Sequence, residues 1–359
     1  MIERTGAREA GAAPHEQAVE GSMSSTVQVE AAAEAVIETK RRTLALRKYV
    51  PVLGTLVLLC IMYAIGIVNY ENFYNTQVLL NIFIDNAFLL VVAVGMTFVI
   101  LTGGIDLSVG AVVALTTMVS AVTLNHGWPA GLVMITVLVM GSLLGLGMGC
   151  MIHYFELQPF IVTLAGMFLA RGLCYVISTS SIPITDPTWT RLAQTRIPIA
   201  SFSITPSVII AAVIVVIAGV VLAWTRLGRT VYAIGGNTQS AMLMGLPIAR
   251  VKIAVYTISG FCSAAGGLLL SFYMSSGDPL HAVGLELDAI AAVVIGGTIL
   301  TGGSGYIAGT VLGIIVLGLI QTIITFQGTL SSWWTRIFIG ALLFVFVLLQ
   351  RTVIRRTPA

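Results

Sequence analysis

Hydrophobic positions in this chain come in long uninterrupted runs, not in the alternation of half-buried strands or the narrow stripes of soluble helices. Ten apolar segments follow one another, at about 50–68, 78–101, 105–124, 131–153, 160–180, 207–225, 251–275, 286–300, 305–326 and 332–350. Most approach the ~20 residues that cross a bilayer. The eighth is too short for an ordinary span and reads as a partly re-entrant helix. The pattern predicts an all-α polytopic membrane protein of about ten transmembrane segments.

Polar residues interrupt this pattern most sharply at Val94–Gly110, VGMTFVILTGGIDLSVG. An apolar helix stops at Thr102-Gly103-Gly104, and a second begins straight after Asp106 and Ser108. Two residues without a Cβ take backbone angles that others avoid. Asp106 and Ser108 are then placed to accept bonds from the amides that open the next helix. One reading is a tight turn between two spans. The other is a broken helix lining a cavity, since polar breaks at membrane depth are tolerated only inside protein or beside water.

The interruption recurs. Ile100-Leu101-Thr102-Gly103-Gly104 reappears unchanged as Ile299-Leu300-Thr301-Gly302-Gly303, and Gly110 matches Gly309 at the same offset. An internal repeat around 94–115 and 293–314 is therefore expected, and interrupted helices in matching places often mark a transport pathway.

Composition and charge sharpen this picture. Of 359 residues, 57% are hydrophobic and 9% charged. Fourteen of the 33 charged residues lie in residues 1–48, leaving 19 for the other 311. Residues 1–30 have few large apolar side chains and read as disordered. Their front lacks the apolar stretch of a cleaved signal peptide. The tail closes on KRRTLALRK, which is expected to hold the amino terminus in the cytoplasm. The domains expected are thus a tail over 1–48, a transmembrane domain over 49–351 and a short cytoplasmic tail over 352–359. Counting ten spans puts the 226–252 loop, with Arg226, Arg229, Arg250 and Lys252, on the cytoplasmic side together with Arg351, Arg355 and Arg356. The 181–206 loop, with Arg191 and Arg196, falls outside, so the positive-inside rule is obeyed. The net charge of +3 is no sign of a nucleic-acid partner, because the cations cluster at span ends. Cys60, Cys150, Cys174 and Cys262 all fall in apolar segments and read as small buried hydrophobes.

No catalytic constellation is present. His15, His126, His153 and His281 are scattered, no HExxH or GxSxG occurs, and without a Gly-Lys pair there is no phosphate-binding GxxxxGK[ST] loop. No metal site is expected. ATP-driven transport would therefore need a separate ATPase. A charge in hydrocarbon costs roughly 3 kcal/mol by the lower estimates, so Asp85, Asp106, Arg171 and Asp288 should face protein or water. Arg171 reads either as a pathway ion-pair residue or as a strut bonded to backbone carbonyls. Asp85 and Glu286 lie near span ends, where solvation explains them, and Asp288 opens the short eighth segment. Asn86, Thr97, Asp106, Ser108, Arg171, Asp288 and Thr298 form the candidate substrate pathway, with polar side chains suited to a neutral solute such as a sugar.

The loop Arg226–Lys252 carries a further signal. Gly235-Gly236-Asn237 reads as a turn and helix start, Thr238–Met244 as a short helix, and Gly245 and Pro247 as its end. Ala241, Met242, Leu243 and Met244 in a row exceed what a solvated connector needs, and exposed apolar surface usually marks a contact.

Four stretches in order, VGMTFVILTGGIDLSVG, QPFIVTLAGMFLARG, GRTVYAIGGN and ELDAIAAVVIGGTILTGGSG, resemble the permease subunits of sugar ABC importers of the ribose/xylose/galactose type. The resemblance runs from about Leu53 to Arg351. GGNTQSAMLMGLPIARVK and FQGTLSSWWTRI are most similar to the galactofuranose-type permeases. It implies a bacterial inner-membrane permease subunit with both termini cytoplasmic, moving a monosaccharide by alternating access. A cytoplasmic ABC ATPase carrying ATP and Mg, a periplasmic sugar-binding protein and a second permease subunit, in a heterodimer, would be its partners, and membrane lipid would surround it. This chain itself would bind no cofactor. The family's E-A-A-x-x-x-G coupling loop matches Gln239-Ser240-Ala241…Gly245, with Gln239 and Ser240 departing from it, so Asn237, Gln239, Ser240, Ala241, Met244 and Gly245 are the candidate ATPase contacts. Branched-chain amino acid permeases share the architecture and supply one alternative; a stand-alone facilitator or secondary transporter is another.

Overall fold

The structure is a computed structural model that describes residues 50–199, 202–331 and 333–355. The tail 1–48, expected to be disordered, lies outside the described residues. Each of the ten apolar segments contains a helix. Before the first break come α1 (Val50–Asn69) and α2 (Thr76–Leu101). After it come α3 (Val109–Asn125), α4 (Ala130–Tyr154) and α5 (Pro159–Ile177). A short segment then holds β1 (Ile182–Pro183), α6 (Pro187–Gln194), β2 (Ile197–Ile199) and β3 (Phe202–Ile204). Next are α7 (Pro206–Trp224), α8 (Arg226–Gly236), α9 (Thr238–Leu243), α10 (Ile248–Met274) and β4 (Ser276–Gly277). The chain closes with α11 (Leu285–Ile295), α12 (Ile307–Gln327) and α13 (Trp333–Arg355). Among the described residues, seven helices are long and apolar enough to cross a membrane, and α3 and α13 add shorter apolar stretches. The eighth segment is short, as expected: its helix, α11, has 11 residues.

Local chemistry sets the helix ends. The Asn75 side chain accepts from the Gln77 amide to open α2, and proline occupies the first position of α5 and α7, where its missing N–H costs nothing. α2 is the hub. Its most apolar 18-residue window is 89% buried, against 72% for α10 and 61% for α12. The corresponding windows of α1, α4, α5 and α7 are at most 28% buried, so these helices turn apolar faces outward, where lipid receives them. Cys60 on α1 is among the exposed residues, contrary to the sequence expectation, whereas Cys174 and Cys262 are buried.

α4 meets α10 along a seam of small residues. A Cβ on Gly141 would sit 2.6 Å from the Gly260 carbonyl oxygen, and one on Gly145 would sit 2.2 Å from that of Tyr256. Gly149, four residues on, abuts the Ile253 backbone. Apolar side chains gain little by leaving lipid, so close backbone approach through small residues is what holds such helices together.

At 27 residues, α10 is about 40 Å long and gives the molecule two ends. At one, β1 pairs antiparallel with β4 (Ile182 with Gly277), Trp189 of α6 lies against Phe272, and Gln77 bonds the backbone of Ser203 in β3. At the other lie α8, α9 and the helix breaks.

Gly145→Leu should separate α4 from α10 and lower the thermal midpoint in detergent, by an overpacking cost of ~1–3 kcal/mol. Gly147→Leu, with nothing within 4 Å of its built Cβ, should leave the midpoint unchanged. Thermal unfolding of the two variants checks the seam.

Candidate functional site

Both helix breaks are glycine caps, but they are built differently. Gly103 is left-handed (φ 78°), its amide bonds the Ile100 carbonyl at 2.9 Å, and the Gly104 amide reaches back to Val99 at 3.1 Å. This closes α2 by a Schellman motif. In the second half the same motif ends α11 earlier: Gly297 is left-handed, its amide bonds Val294 at 2.9 Å, and the Thr298 amide bonds Val293 at 3.1 Å. The helical run is therefore shorter than the apolar segment 286–300, because Gly296-Gly297 stops it before the repeated ILTGG is reached. Gly302 keeps the left-handed turn of its counterpart Gly103, with its amide bonded to Ile299 at 2.9 Å. Gly104 and Gly303 diverge: the Gly303 amide is satisfied across the molecule, by the Leu101 carbonyl at 2.9 Å.

α8 ends in this same place. A Cβ on Gly235 would lie 1.8 Å from the Leu101 carbonyl oxygen and 2.3 Å from the Gly303 nitrogen. Gly235-Gly236 are the last residues of α8, where the sequence reads as a turn, and Asn237 starts the next helix as expected. Tyr232 Oη donates to the Gly305 carbonyl at 2.8 Å. Burial pushes this phenol up to about 12, so it stays a donor throughout the physiological range. Gly110 and Gly309 also mark close approaches, of α3 to the Ala282 carbonyl and of α12 to that of Gly296.

The candidate pathway residues divide into two sets. Asp106 is fully buried, and its carboxylate accepts from the Ser108 amide at 2.9 Å, the Ser108 hydroxyl at 2.6 Å and the Ser259 hydroxyl at 2.7 Å. Ser108 thus donates to Asp106 and does not itself cap α3. Thr97 bonds the Ala93 carbonyl and the Thr310 hydroxyl, linking α2 to α12. Arg171 donates to the Pro279 and His281 carbonyls, tying α5 to the loop after β4. Thr298 is buried against Gly305. None of these five lines the cavity described next.

Asn86 and Asp288 do. They face a cavity of about 460 Å³ with Gln321 and Thr325, one turn apart on α12, and Arg336 on α13. An adjoining lobe of about 640 Å³ adds Asn81, Asp85 and Tyr273. Both fall within the ~300–1,000 Å³ common for small-molecule sites. Arg336 Nη1 lies 3.7 Å from Asp288 Oδ1. Glycine at 318 admits Asn86, because a Cβ there would be 2.9 Å from its amide nitrogen. Sequence reasoning missed Gln321, Thr325, Tyr273 and Arg336. The i, i+4 spacing of Gln321 and Thr325 on an otherwise apolar helix is a signal that could have found two of them.

α9 leaves the body of the protein as a lever with an apolar tip. The Asn237 side chain caps it by accepting from Ser240 at 2.8 Å, and Ala241 is its one buried residue. Met242, Leu243 and Met244 are 70%, 86% and 65% exposed. Gly245, at φ 71°, ends it. Gln239 and Ser240 sit on its exposed side.

A bundle of broken helices around a polar cavity, with an apolar helix held outside it, defines a membrane permease: a transport subunit, not an enzyme. Residues 78–347 match the family described as "Branched-chain amino acid transport system / permease component", and the chain belongs to it. The inner membrane ABC transporter permease protein YjfF of Escherichia coli (strain K12) is 45% identical over 308 residues, covering 85% of this chain and 93% of that protein. The fructose import permease protein FruG of Bifidobacterium longum is 43% identical, covering 86% and 92%. The ribose import permease protein RbsC of Haemophilus influenzae is 37% identical, covering 81% and 90%. No solved structure matches the chain. The chain is thus an ABC-transporter permease, multi-pass in the inner membrane, of the kind its relatives represent.

Gly235→Ala should force Leu101 and Gly303 apart and lower the thermal midpoint by several degrees, corresponding to ~1–3 kcal/mol. Gly236→Ala, with nothing within 4 Å of its built Cβ, should not; paired melting curves decide it.

Proposed function

We propose that this chain is one of two membrane subunits of an ATP-driven importer that carries a monosaccharide across the bacterial inner membrane. One observation carries the reading: the Asn86–Asp288 cavity offers amide, hydroxyl and paired charged groups, which suit a neutral polyol. The names of the relatives, fructose and ribose import permeases among them, support a sugar. Galactofuranose is the sugar favoured by the GGNTQSAMLMGLPIARVK and FQGTLSSWWTRI stretches, and with it a heterodimer of two different permeases. Both termini, α8 and α9 lie in the cytoplasm, and the cavity opens to the periplasmic side, where a sugar-binding protein docks.

A separate cytoplasmic ATPase carries ATP and Mg and grips Met242, Leu243 and Met244. ATP binding must favour one conformation of the assembly over the other for work to be done. α9 moves with the ATPase, α8 moves with α9, and the backbone contact at Gly235 passes the displacement to both helix breaks. The cavity is thereby exposed first to one side and then to the other.

A branched-chain amino acid is the second reading, favoured by the description of the matched family. A zwitterion needs free charges of both signs. Asp288 and Arg336 are paired with each other, Arg171 is engaged with backbone carbonyls and Asp106 with three donors.

Proteoliposomes containing the two permeases, the ATPase and the binding protein should take up labelled monosaccharide only with ATP, and L-leucine should not compete. Gly245→Arg should cut that uptake at least tenfold with the subunit still in the membrane. Leucine uptake, or sugar equilibration by the chain alone, would contradict the proposal.

A further inference from the structure

A side cavity, of about 330 Å³, lies between α2, the end of α6, the start of α7 and α10. Asp85 and Asn81 of α2, Arg196, Thr205 and Tyr273 line it. Three features distinguish it from an incidental cleft. Thr205 is 7% exposed, and its hydroxyl has no hydrogen-bond partner among the described residues. It stands at the helix start of α7 without capping it, so the cavity wall holds an unmet buried donor and acceptor, a cost of about 1–3 kcal/mol, and a turn about the Thr205 Cα–Cβ bond would present it to a solute. The walls carry both signs of charge, Asp85 and Arg196, and these act on each other, so neither a simple anion nor a simple cation gains net attraction, and a zwitterion is the rival that the L-valine arm of the test below addresses. And the wall is shared: Asn81, Asp85, Phe88 and Tyr273 also line the larger lobe beside Asn86.

We infer that this side cavity is a second solute subsite for a neutral, hydroxyl-rich molecule such as a monosaccharide. The inference rests on the sugar reading above. Tyr273 Oη reaches Asp85 Oδ1 at only 3.4 Å, and this long bond leaves the carboxylate free to accept from a sugar hydroxyl. Asn81 and Thr205 each donate and accept, as a polyol needs. The rings of Phe88 and Tyr273, 6.3 Å apart and inclined at 41°, give the apolar C–H face of a sugar ring a surface to lie on. Because Asp85 and Tyr273 belong to both walls, a sugar leaving the side cavity meets the main one without losing its partners.

Thiol protection tests this in the full chain, with Cys60→Ser removing the exposed cysteine, held in phosphatidylcholine nanodiscs. Ser207→Cys places a thiol in the side cavity and Thr325→Cys one in the main cavity. D-ribose, D-fructose and D-galactose are titrated against a small methanethiosulfonate reagent. One of them should slow modification of Ser207→Cys about fivefold at a concentration of about four times its Kd. Asp85→Asn and, independently, Thr205→Val should abolish that protection. Thr205→Val should leave protection at Thr325→Cys intact, since Thr205 does not line the main cavity. Protection at Thr325→Cys alone overturns the side subsite and leaves the sugar reading standing. Protection at neither position also overturns it, whereas loss of sugar uptake in the complete transporter is what strikes the function itself. Protection of Ser207→Cys by L-valine but by no sugar, or by phosphatidylethanolamine added to the nanodisc, overturns the subsite in favour of a zwitterion or a lipid headgroup.

Discussion

The contact on which the rest of the structure depends is made by backbone alone, at the Leu101 carbonyl. Its oxygen accepts the Gly303 amide, and Gly235 of α8 packs against the same atoms. Three segments far apart in sequence therefore meet without a side chain between them. A junction of this kind tolerates little, because any Cβ would need the space that the neighbouring backbone occupies. It also compresses little, so displacement of one segment is passed to the other two and not absorbed by rotamer changes. Tyr232 reinforces it from α8 by its bond to Gly305.

Polar groups elsewhere follow from the cost of placing them in a bilayer. Those that stabilise the protein have found partners within it: Asp106 with its serines, Thr97 with Thr310, Arg171 with the carbonyls after β4. Those near the mouth, Asn86, Asp288, Gln321 and Arg336, line open volume instead. The division follows depth along α2. Asn86 lies eleven residues before Thr97, about 16 Å nearer the β1–β4 end. One half of the molecule carries the glycine junction and α9; the other carries the polar cavities at Asn86 and Asp85. Transport requires that a push on one be felt in the other, and α2, buried along most of its length, connects them.

The architecture was largely legible in the sequence, since ten apolar runs become ten helices and bilayer thickness leaves few other outcomes. The repeated ILTGG falls at the end of α2 in the first half and in the connection between α11 and α12 in the second. It did not reveal that α11 stops at Gly296-Gly297, because identical glycines cap a helix only where the preceding turn is still helical. α8 was hidden in the first half of what read as a cytoplasmic docking loop: its buried apolar side chains, Val231 and Ile234, are too few to stand out beside the spans. The site was the least legible part. Asn86 and Asp288 were anticipated, but Arg336 comes to the cavity from the last helix, and nothing local in SSWWTRI indicates which helices it will face. Side chains converge through tertiary packing, and one sequence does not state it.

In the proposed transport cycle α9, the end of α8 and the two breaks move as one body against the cavity end. Spin-label distances in the assembled transporter measure this most directly, with labels at Leu243 on α9, Thr301 in the second break and Leu280 in the loop after β4. On ATP binding the Leu243–Thr301 distance should hold while the Leu243–Leu280 distance changes. A change between Leu243 and Thr301, with Leu280 unmoved relative to Thr301, would show α9 swinging freely, uncoupled from the helix breaks.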